Sequence, residues 1–449
     1  MQKQQHFLKA VCAIAVPVAL QSMLQASFSI VDQIMIGQLG SVSVAGVGFA
    51  GKFSSIYSVT VAAIGTVAGI MISQYMGQRN QREVRRSFFL NLWFALGLAA
   101  VFAGVSLAFP KSIIGLYTTD SLTVTASASY LRLIAWTFVP AAAATMLSTL
   151  FRCMEKAQLP LYASIAASLL NTGLNYLLIF GKLGLPRMGS EGAAIATVIS
   201  QLVNTGIMLL LLLRHREVLQ KAPGAQKSRF AWKQYAKMLL PILVCEFMWS
   251  IGENVYAAIY GHIGTEASAA MTLVNPVQGL MIGALCGLSQ AAGVIIGKRL
   301  GKGAYVEAYA AAKRLILYGF VGSLALSLVI VATSGLYVEI YRVEPSVKAL
   351  TRQILLAYAL IAPFKVQNMI VGGGILRSGG KTTYVMAIDL IGTWVFGVPL
   401  GWIAAFVLRL SIPYVYFILS LEECVRFGIS LLVLRKKKWM QSLGAAPQA

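Results

Sequence analysis

"PVALQSMLQASFSIVDQIMIGQLG" at residues 17–40 and "PILVCEFMWSIGENVYAAIYGHIG" at residues 241–264 share one plan. Sliding the sequence on itself by 224 positions lays Pro17 on Pro241, Gly37 on Gly261 and Gly40 on Gly264. The register continues through Gly69 and Gly293, Gly77 and Gly301, and Glu83 and Glu307, an ungapped match over 67 positions that marks a duplicated chain. The repeated glycines belong to the shared scaffold, where a missing side chain permits close helix approach and a tight exit turn. Asp32 does not repeat, because its counterpart is Tyr256. The carboxylate is therefore a specialisation of one half.

Both copies sit in strongly apolar sequence. Hydrophobic residues make up 58% of the 449 and charged residues only 12%, with mean hydropathy +0.74, whereas soluble domains carry about a quarter charged residues. Twelve apolar runs follow one another, at residues 7–36, 44–75, 87–109, 126–150, 161–180, 192–213, 238–260, 273–296, 315–336, 354–375, 384–408 and 412–434. About 20 such residues cross a hydrocarbon core about 30 Å thick. The runs are continuous rather than alternating, which points to helices and excludes a transmembrane barrel. The sequence thus predicts an all-α integral membrane protein of twelve transmembrane helices, multi-pass in the plasma membrane. The first run is too long for a signal-peptide core and lacks a small-x-small cleavage site, so it reads as a retained span. The five cysteines have no C-x-x-C spacing and read as apolar packing residues.

The net charge of +22 would suggest nucleic acid in a soluble protein, but its distribution argues for a bilayer and against a nucleic-acid partner. Basic residues concentrate in alternate connections, among them Arg79, Arg82, Arg85 and Arg86, Lys298, Arg299 and Lys302, and Arg435 to Lys438. By the positive-inside rule both termini are cytoplasmic, and membrane lipid headgroups are partner enough for the basic excess. The longest polar connection divides the chain into an amino-terminal six-helix bundle (1–213), a cytoplasmic linker (214–237) and a carboxy-terminal six-helix bundle (238–449). An even number of spans per half gives both bundles the same orientation, related by a pseudo-two-fold axis along the membrane normal. Such a pair encloses a cavity within one chain, so a monomer suffices.

The stretches "VDQIMIGQLG" (31–40), "AGIMISQYMGQRN" (68–80), "NTGLNYLLIFGKLGLPRMGSEGAAIATVIS" (171–200) and "WVFGVPLGW" (394–402) resemble the multidrug and toxic compound extrusion (MATE) family. The resemblance implies a secondary active antiporter that exports organic cations or drugs in exchange for protons or sodium ions by alternating access. It also implies an amphipathic small-molecule cation as substrate and a few membrane-embedded carboxylates at the centre of the mechanism. No Walker, H-E-x-x-H or G-x-S-x-G signature is present, which argues against an ATP-driven pump or a membrane-embedded enzyme and for an ion gradient as energy source without a cofactor. The superfamily also includes flippases for lipid-linked sugars, which need cations for phosphate. Lys52, Arg132, Lys365 and Arg426 keep that alternative open.

Six of the fifteen acids fall inside runs: Asp32, Glu246, Glu253, Asp389, Glu422 and Glu423. A carboxylate at mid-span costs roughly 2.5–3.5 kcal/mol, so it faces the bundle interior and marks a pathway. Asp32 matches the first-span aspartate of the family. Asn171 and Asn175, four apart on one helical face, complete an ion-coupling set able to hold a proton, or a sodium ion at Asp32. One branch of the family carries an aspartate where Asn175 stands. Glu246 and Glu253 are two turns apart on one face, with Trp249 between them. With Asp389 they form the expected substrate or proton site of the carboxy-terminal half, unless Lys365 or Arg426 neutralises one of them, or Glu422 or Glu423. Tyr57, Trp249, Tyr256 and Met281 are candidate cavity walls, offering cation–π contact and a polarizable lining. Arg377, in a turn between spans, is expected to cap a helix end and meet lipid phosphate.

Overall fold

The structure, a computed structural model, describes residues 2–215, 232–341 and 343–443. Residues 216–231, most of the expected linker, lie outside the described residues. Every regular element among the described residues is a helix. The first half runs α1 (Gln2–Gly37), α2 (Ser41–Gly77), α3 (Gln81–Ala108), α4 (Pro110–Gly115), α5 (Ser121–Ile134), α6 (Phe138–Cys153), α7 (Gln158–Phe180) and α8 (Gly189–Arg214). The second half runs α9 (Trp232–Ile263), α10 (Thr265–Gly301), α11 (Tyr305–Glu339), α12 (Pro345–Asn368), α13 (Thr382–Leu390), α14 (Val398–Trp402), α15 (Ile412–Ser420) and α16 (Glu422–Arg435).

Among the described residues, eleven spans are long and apolar enough to cross a membrane. The twelfth, expected at 412–434, is interrupted: it becomes α15 and α16, of 9 and 14 residues, joined at Leu421. Glu422 and Glu423 occupy the first turn of α16, where the exposed N–H groups of a helix start favour negative charge. The second half also holds π-helical stretches at Met369–Leu376, Ile391–Gly397 and Ile403–Val407, the first followed by a 3-10 turn at Arg377–Gly379. Such wide turns collect at functional sites.

Two of the duplicated glycines are turn residues, whereas a Cβ on Gly37 would meet nothing within 4 Å, so close helix approach does not account for that one. Gly40 and Gly264 both sit at positive φ, 92° and 152°, a region closed to most side chains, and each turns the chain from one span into the next. Asp120 caps α5: its carboxylate accepts from the Thr123 N–H at 2.9 Å, and these hydrogen bonds from Thr123 hold its carboxyl below the usual carboxylate range.

Packing divides the described chain into two compact units. One comprises residues 20–72 and 80–215; the other comprises residues 2–19, 73–79 and 232–443. In the first, Ile36 of α1, Ile179 of α7 and Ala193 of α8 share a small apolar cluster, which fixes the end of α1 against α7. In the second, two short pieces of the first half are built into the second half. A Cβ on Gly287 would stand 1.9 Å from the Ala15 carbonyl oxygen, and one on Gly77 would stand 2.0 Å from that of Lys298. One on Gly301 would stand 2.0 Å from the Gln74 carbonyl. Since Gln74 corresponds to Lys298 and Gly77 to Gly301 at the repeat offset, the last two are the same contact seen from each side. The duplication thus builds its own two-fold crossing between the ends of α2 and α10.

The chain beyond α16 returns to this crossing. Trp439 is fully buried, and its indole N–H donates to the Leu434 carbonyl at 3.2 Å. The Gln74 amide nitrogen donates to the carbonyls of Ser378 at 2.7 Å and Gln441 at 3.2 Å, and its oxygen accepts from the Leu443 N–H at 2.6 Å. One buried side chain therefore pins the returning strap.

Candidate functional site

Two polar centres emerge, one in each unit. In the first, α1 supplies Asp32, and α7 supplies Asn171 and Asn175 on one face. Asn175 Nδ2 donates to Asp32 Oδ1 at 2.8 Å and to Asn171 Oδ1 at 3.1 Å. The Asn171 amide reaches Thr197 Oγ1 of α8 at 3.4 Å. Turned over, it presents its nitrogen to Asp32 Oδ1 and Oδ2 at 3.3 and 3.1 Å. The set therefore answers either charge state of the acid: an amide N–H serves a carboxylate, and an amide oxygen serves a carboxylic acid or a cation lying beside it. Asn175 Oδ1 is buried with no partner. An orphaned acceptor beside an acid suits a bound monovalent cation or proton. Among the described residues no cluster of three or more His, Cys, Asp or Glu could hold a metal ion.

Local sequence explains this geometry. A Cβ on Gly192 would stand 2.8 Å from the Leu178 carbonyl, so glycine lets α8 close onto α7 and brings Thr197 beside Asn171. Gly181 at φ 67° makes the turn between these helices. Tyr57 takes another role. It is buried, stacks on Phe138 with ring centroids 4.4 Å apart, and donates its hydroxyl to the Phe138 carbonyl.

In the second unit, Glu246 accepts from Arg377 Nη1 at 3.0 Å, and Arg377 Nη2 reaches Cys245 Sγ at 3.4 Å. Cys245 donates to Asp389 Oδ2 at 2.7 Å, Asp389 pairs with Arg426, and Arg426 reaches Glu423 Oε2 at 3.4 Å. Asn368 Nδ2 closes the ladder on Glu423 at 2.8 Å. Glu246 and Asp389, taken from the sequence as one site with Glu253, are thus each tied to an arginine. Arg377 differs from the expectation of a lipid-facing cap: its side chain is 13% exposed and pairs with an acid. The signal for it was arithmetic, since six intramembrane acids outnumber the four cations Lys52, Arg132, Lys365 and Arg426 and favour a further cation from a nearby turn. Arg426 lies across the π-helical stretch at Gly392, where a Cβ would stand 2.2 Å from its Cγ.

Sharing Glu423 with this ladder is a cavity of about 270 Å³, lined by Glu253, Tyr256, Asn275, Lys365, Glu422 and Glu423 among others. Tyr256 donates its hydroxyl to Glu422 Oε2 at 2.7 Å. A Cβ on Gly397 would stand 2.1 Å from that hydroxyl oxygen and 2.2 Å from Glu422 Oε2, so the π-helical glycine makes room for the pair. Tyr256 is the repeat counterpart of Asp32. The duplicated position is polar and bonded in both halves, as an acid receiving an amide in one and as a hydroxyl serving an acid in the other. Of the remaining candidates, Trp249 is 46% exposed and Met281 is buried in packing; neither lines this cavity. Glu422 and Glu423 enter the site where sequence reasoning had them only as structural partners.

A duplicated helical membrane protein, with a hydrogen-bonded carboxylate in one half and a charged cavity in the other, has the build of a secondary transporter. The chain belongs to the MatE family, whose profile matches residues 17–177 and again residues 241–403, starting at the two ends of the repeat offset. It is therefore a multi-pass membrane transporter of that family. It is 28% identical to a probable multidrug resistance protein NorM of Bradyrhizobium diazoefficiens, covering 94% of this chain and 91% of that one. It is 23% identical to that of Thermotoga maritima, covering 96% and 93%. Its fold matches the Vibrio cholerae MATE transporter VcmN with a TM-score of 0.89 at 17% identity, over 98% of this chain and 100% of that chain. A transporter of Pyrococcus furiosus matches at 0.86 and 19%, covering 95% of each.

Proposed function

We propose that the protein is a secondary active antiporter that exports organic cations or drugs in exchange for protons or sodium ions by alternating access. The observation that carries this reading is Asp32: it accepts an amide hydrogen bond from Asn175, whose own oxygen is a buried acceptor without a partner. An acid held this way takes up and releases a monovalent cation without dismantling its surroundings. Asp32, Asn171 and Asn175 are the coupling-ion set, with the ion as cargo. The naming of relatives as multidrug resistance proteins supports the drug substrate.

In the carboxy-terminal cavity Glu253 faces the substrate, while Glu246 and Asp389 hold Arg377 and Arg426 in place. Ion binding at Asp32 favours the state with lower affinity for the cationic substrate, and the ion gradient thereby drives release; a ligand shifts the equilibrium only by its difference in affinity between states. Lipid-linked sugar flipping is the weaker reading. It needs free cations for phosphate, whereas Arg426 is bonded by Asp389 and Glu423 and Lys365 shares its cavity with three acids.

The test is efflux of an organic cation from proteoliposomes with a proton or a sodium gradient imposed separately. Gradient-driven efflux with at least one ion is expected. No efflux under either gradient, together with translocation of a labelled lipid-linked sugar, would overturn the reading.

A further inference from the structure

Where α10 meets α11, the second half gathers positive charge around two aromatic rings. The guanidiniums of Arg299 and Arg314 share the ring of Phe7 in α1, with Cζ atoms 4.9 and 5.6 Å from its centroid. Lys313 and Lys437 share the ring of Tyr309, with Nζ atoms at 4.9 and 5.0 Å. Each ring attracts its cations weakly, while the two like charges gathered at it repel each other. Among the described residues none of the four cations makes an ion pair with a carboxylate. The acid of this corner, Glu307, adds its charge from a distance and offers Arg299 its backbone carbonyl at 3.3 Å. In the first half the counterpart of that acid, Glu83, is paired with Arg86 at 3.6 Å. Arg299 itself has Tyr75 as its counterpart, so the duplicated scaffold does not require a cation there.

The strap delivers the fourth cation. Lys437 sits at φ 58°, a left-handed backbone that glycine adopts far more readily, and the fully buried Trp439 two residues on anchors it there. From Lys313 onward, α11 presents Leu317, Val321, Leu324 and Leu328, all exposed, in steps of three or four residues that keep them on one face. Cations at the end of an exposed apolar face match a phosphate headgroup joined to acyl chains, and a free phosphate ion would leave that face unused.

We propose that this corner binds a single anionic phospholipid bearing two phosphates, one held by Arg299 and Arg314 and the other by Lys313 and Lys437. Lys313 and Arg314 are consecutive on α11, so the two cation pairs adjoin. Once one phosphate is bound, its covalently linked neighbour meets the second pair at high effective concentration. Because Lys437 belongs to the strap and the other three belong to α10 and α11, the lipid ties the strap to these helices.

The experiment is native mass spectrometry of the purified full-length protein, stripped of lipid in detergent. It is titrated with diphosphatidylglycerol, with phosphatidylglycerol at equal phosphate, and with inorganic pyrophosphate. The wild type should take up one diphosphatidylglycerol about tenfold more tightly than phosphatidylglycerol, and pyrophosphate should not displace it. Lys313→Gln with Arg314→Gln should erase the preference, and Lys437→Gln should weaken it several-fold. Arg82→Gln with Arg85→Gln removes equal charge from the corresponding hairpin of the first half and should leave the preference intact. Lys437 is exposed and lies beyond the end of α16, so its variant tests the proposal even where the paired α11 variant fails to fold. Equal affinity for the two lipids, displacement by pyrophosphate, an unchanged preference in Lys437→Gln, or an equal loss in the Arg82 and Arg85 variant would overturn the proposal.

Discussion

Asn175 donates to Asp32 at 2.8 Å while its own carbonyl oxygen stays buried and unpartnered. On the proposed reading, the donor steadies the acid and a cation completes the set at the orphaned acceptor. Asn175→Leu removes both. Losing a hydrogen bond to a charged group costs about 1.5–3 kcal/mol, so the ion concentration that half-saturates export should rise about tenfold or more. An unchanged half-saturation would show that Asn175 only packs α7 against α1.

The pair of Arg426 and Asp389 should behave as a unit. Arg426→Gln leaves Asp389 buried without its cation, which costs about 3–5 kcal/mol, and should lower the melting temperature measured by intrinsic fluorescence in detergent. Arg426→Gln combined with Asp389→Asn should recover most of the loss. A double variant no more stable than the single one would mean that the ladder from Glu246 to Asn368 is not a connected network.

Gly397 makes room for Tyr256 and Glu422, so Gly397→Ala forces a Cβ into both. Overpacking of this kind costs about 1–3 kcal/mol. Adding Tyr256→Phe removes the oxygen 2.1 Å from that Cβ and should return part of the melting temperature. No recovery would place the strain elsewhere in the π-helical turn.

Gln74 is the hinge pin of the returning strap. Gln74→Leu deletes its bonds to Ser378, Gln441 and Leu443, and should expose the backbone around Trp439 to protease while α16 remains intact. The readout is the rate of cleavage after residue 435 in limited proteolysis, which should rise several-fold. An unchanged rate would assign the docking to Trp439 alone.

Much of this was legible in the chain itself. The repeat offset foretold the turn glycines Gly40 and Gly264. The four-residue spacing of Asn171 and Asn175 told that they share a face, and an acid in an apolar run requires polar company, so Asp32 fell beside them. Other features leave no such trace. The break at Leu421 has neither glycine nor proline to announce it, and an apolar run holding two acids reads as one span. Arg377 reads as a turn residue because periodicity reports which face a side chain occupies and not which neighbour it meets. The docking of residues 2–19 and 73–79 with the second half depends on close backbone approaches such as Gly77 to Lys298, and a glycine in a sequence names no partner.

The central claim is that Asp32 couples ion movement to export. It is tested most directly by Asp32→Asn in proteoliposomes, comparing substrate exchange at equilibrium with accumulation driven by an imposed proton or sodium gradient. Asparagine keeps the size of the side chain but cannot change charge. The account predicts that equilibrium exchange survives within a few-fold while gradient-driven accumulation falls to background. Accumulation at the wild-type level would contradict it.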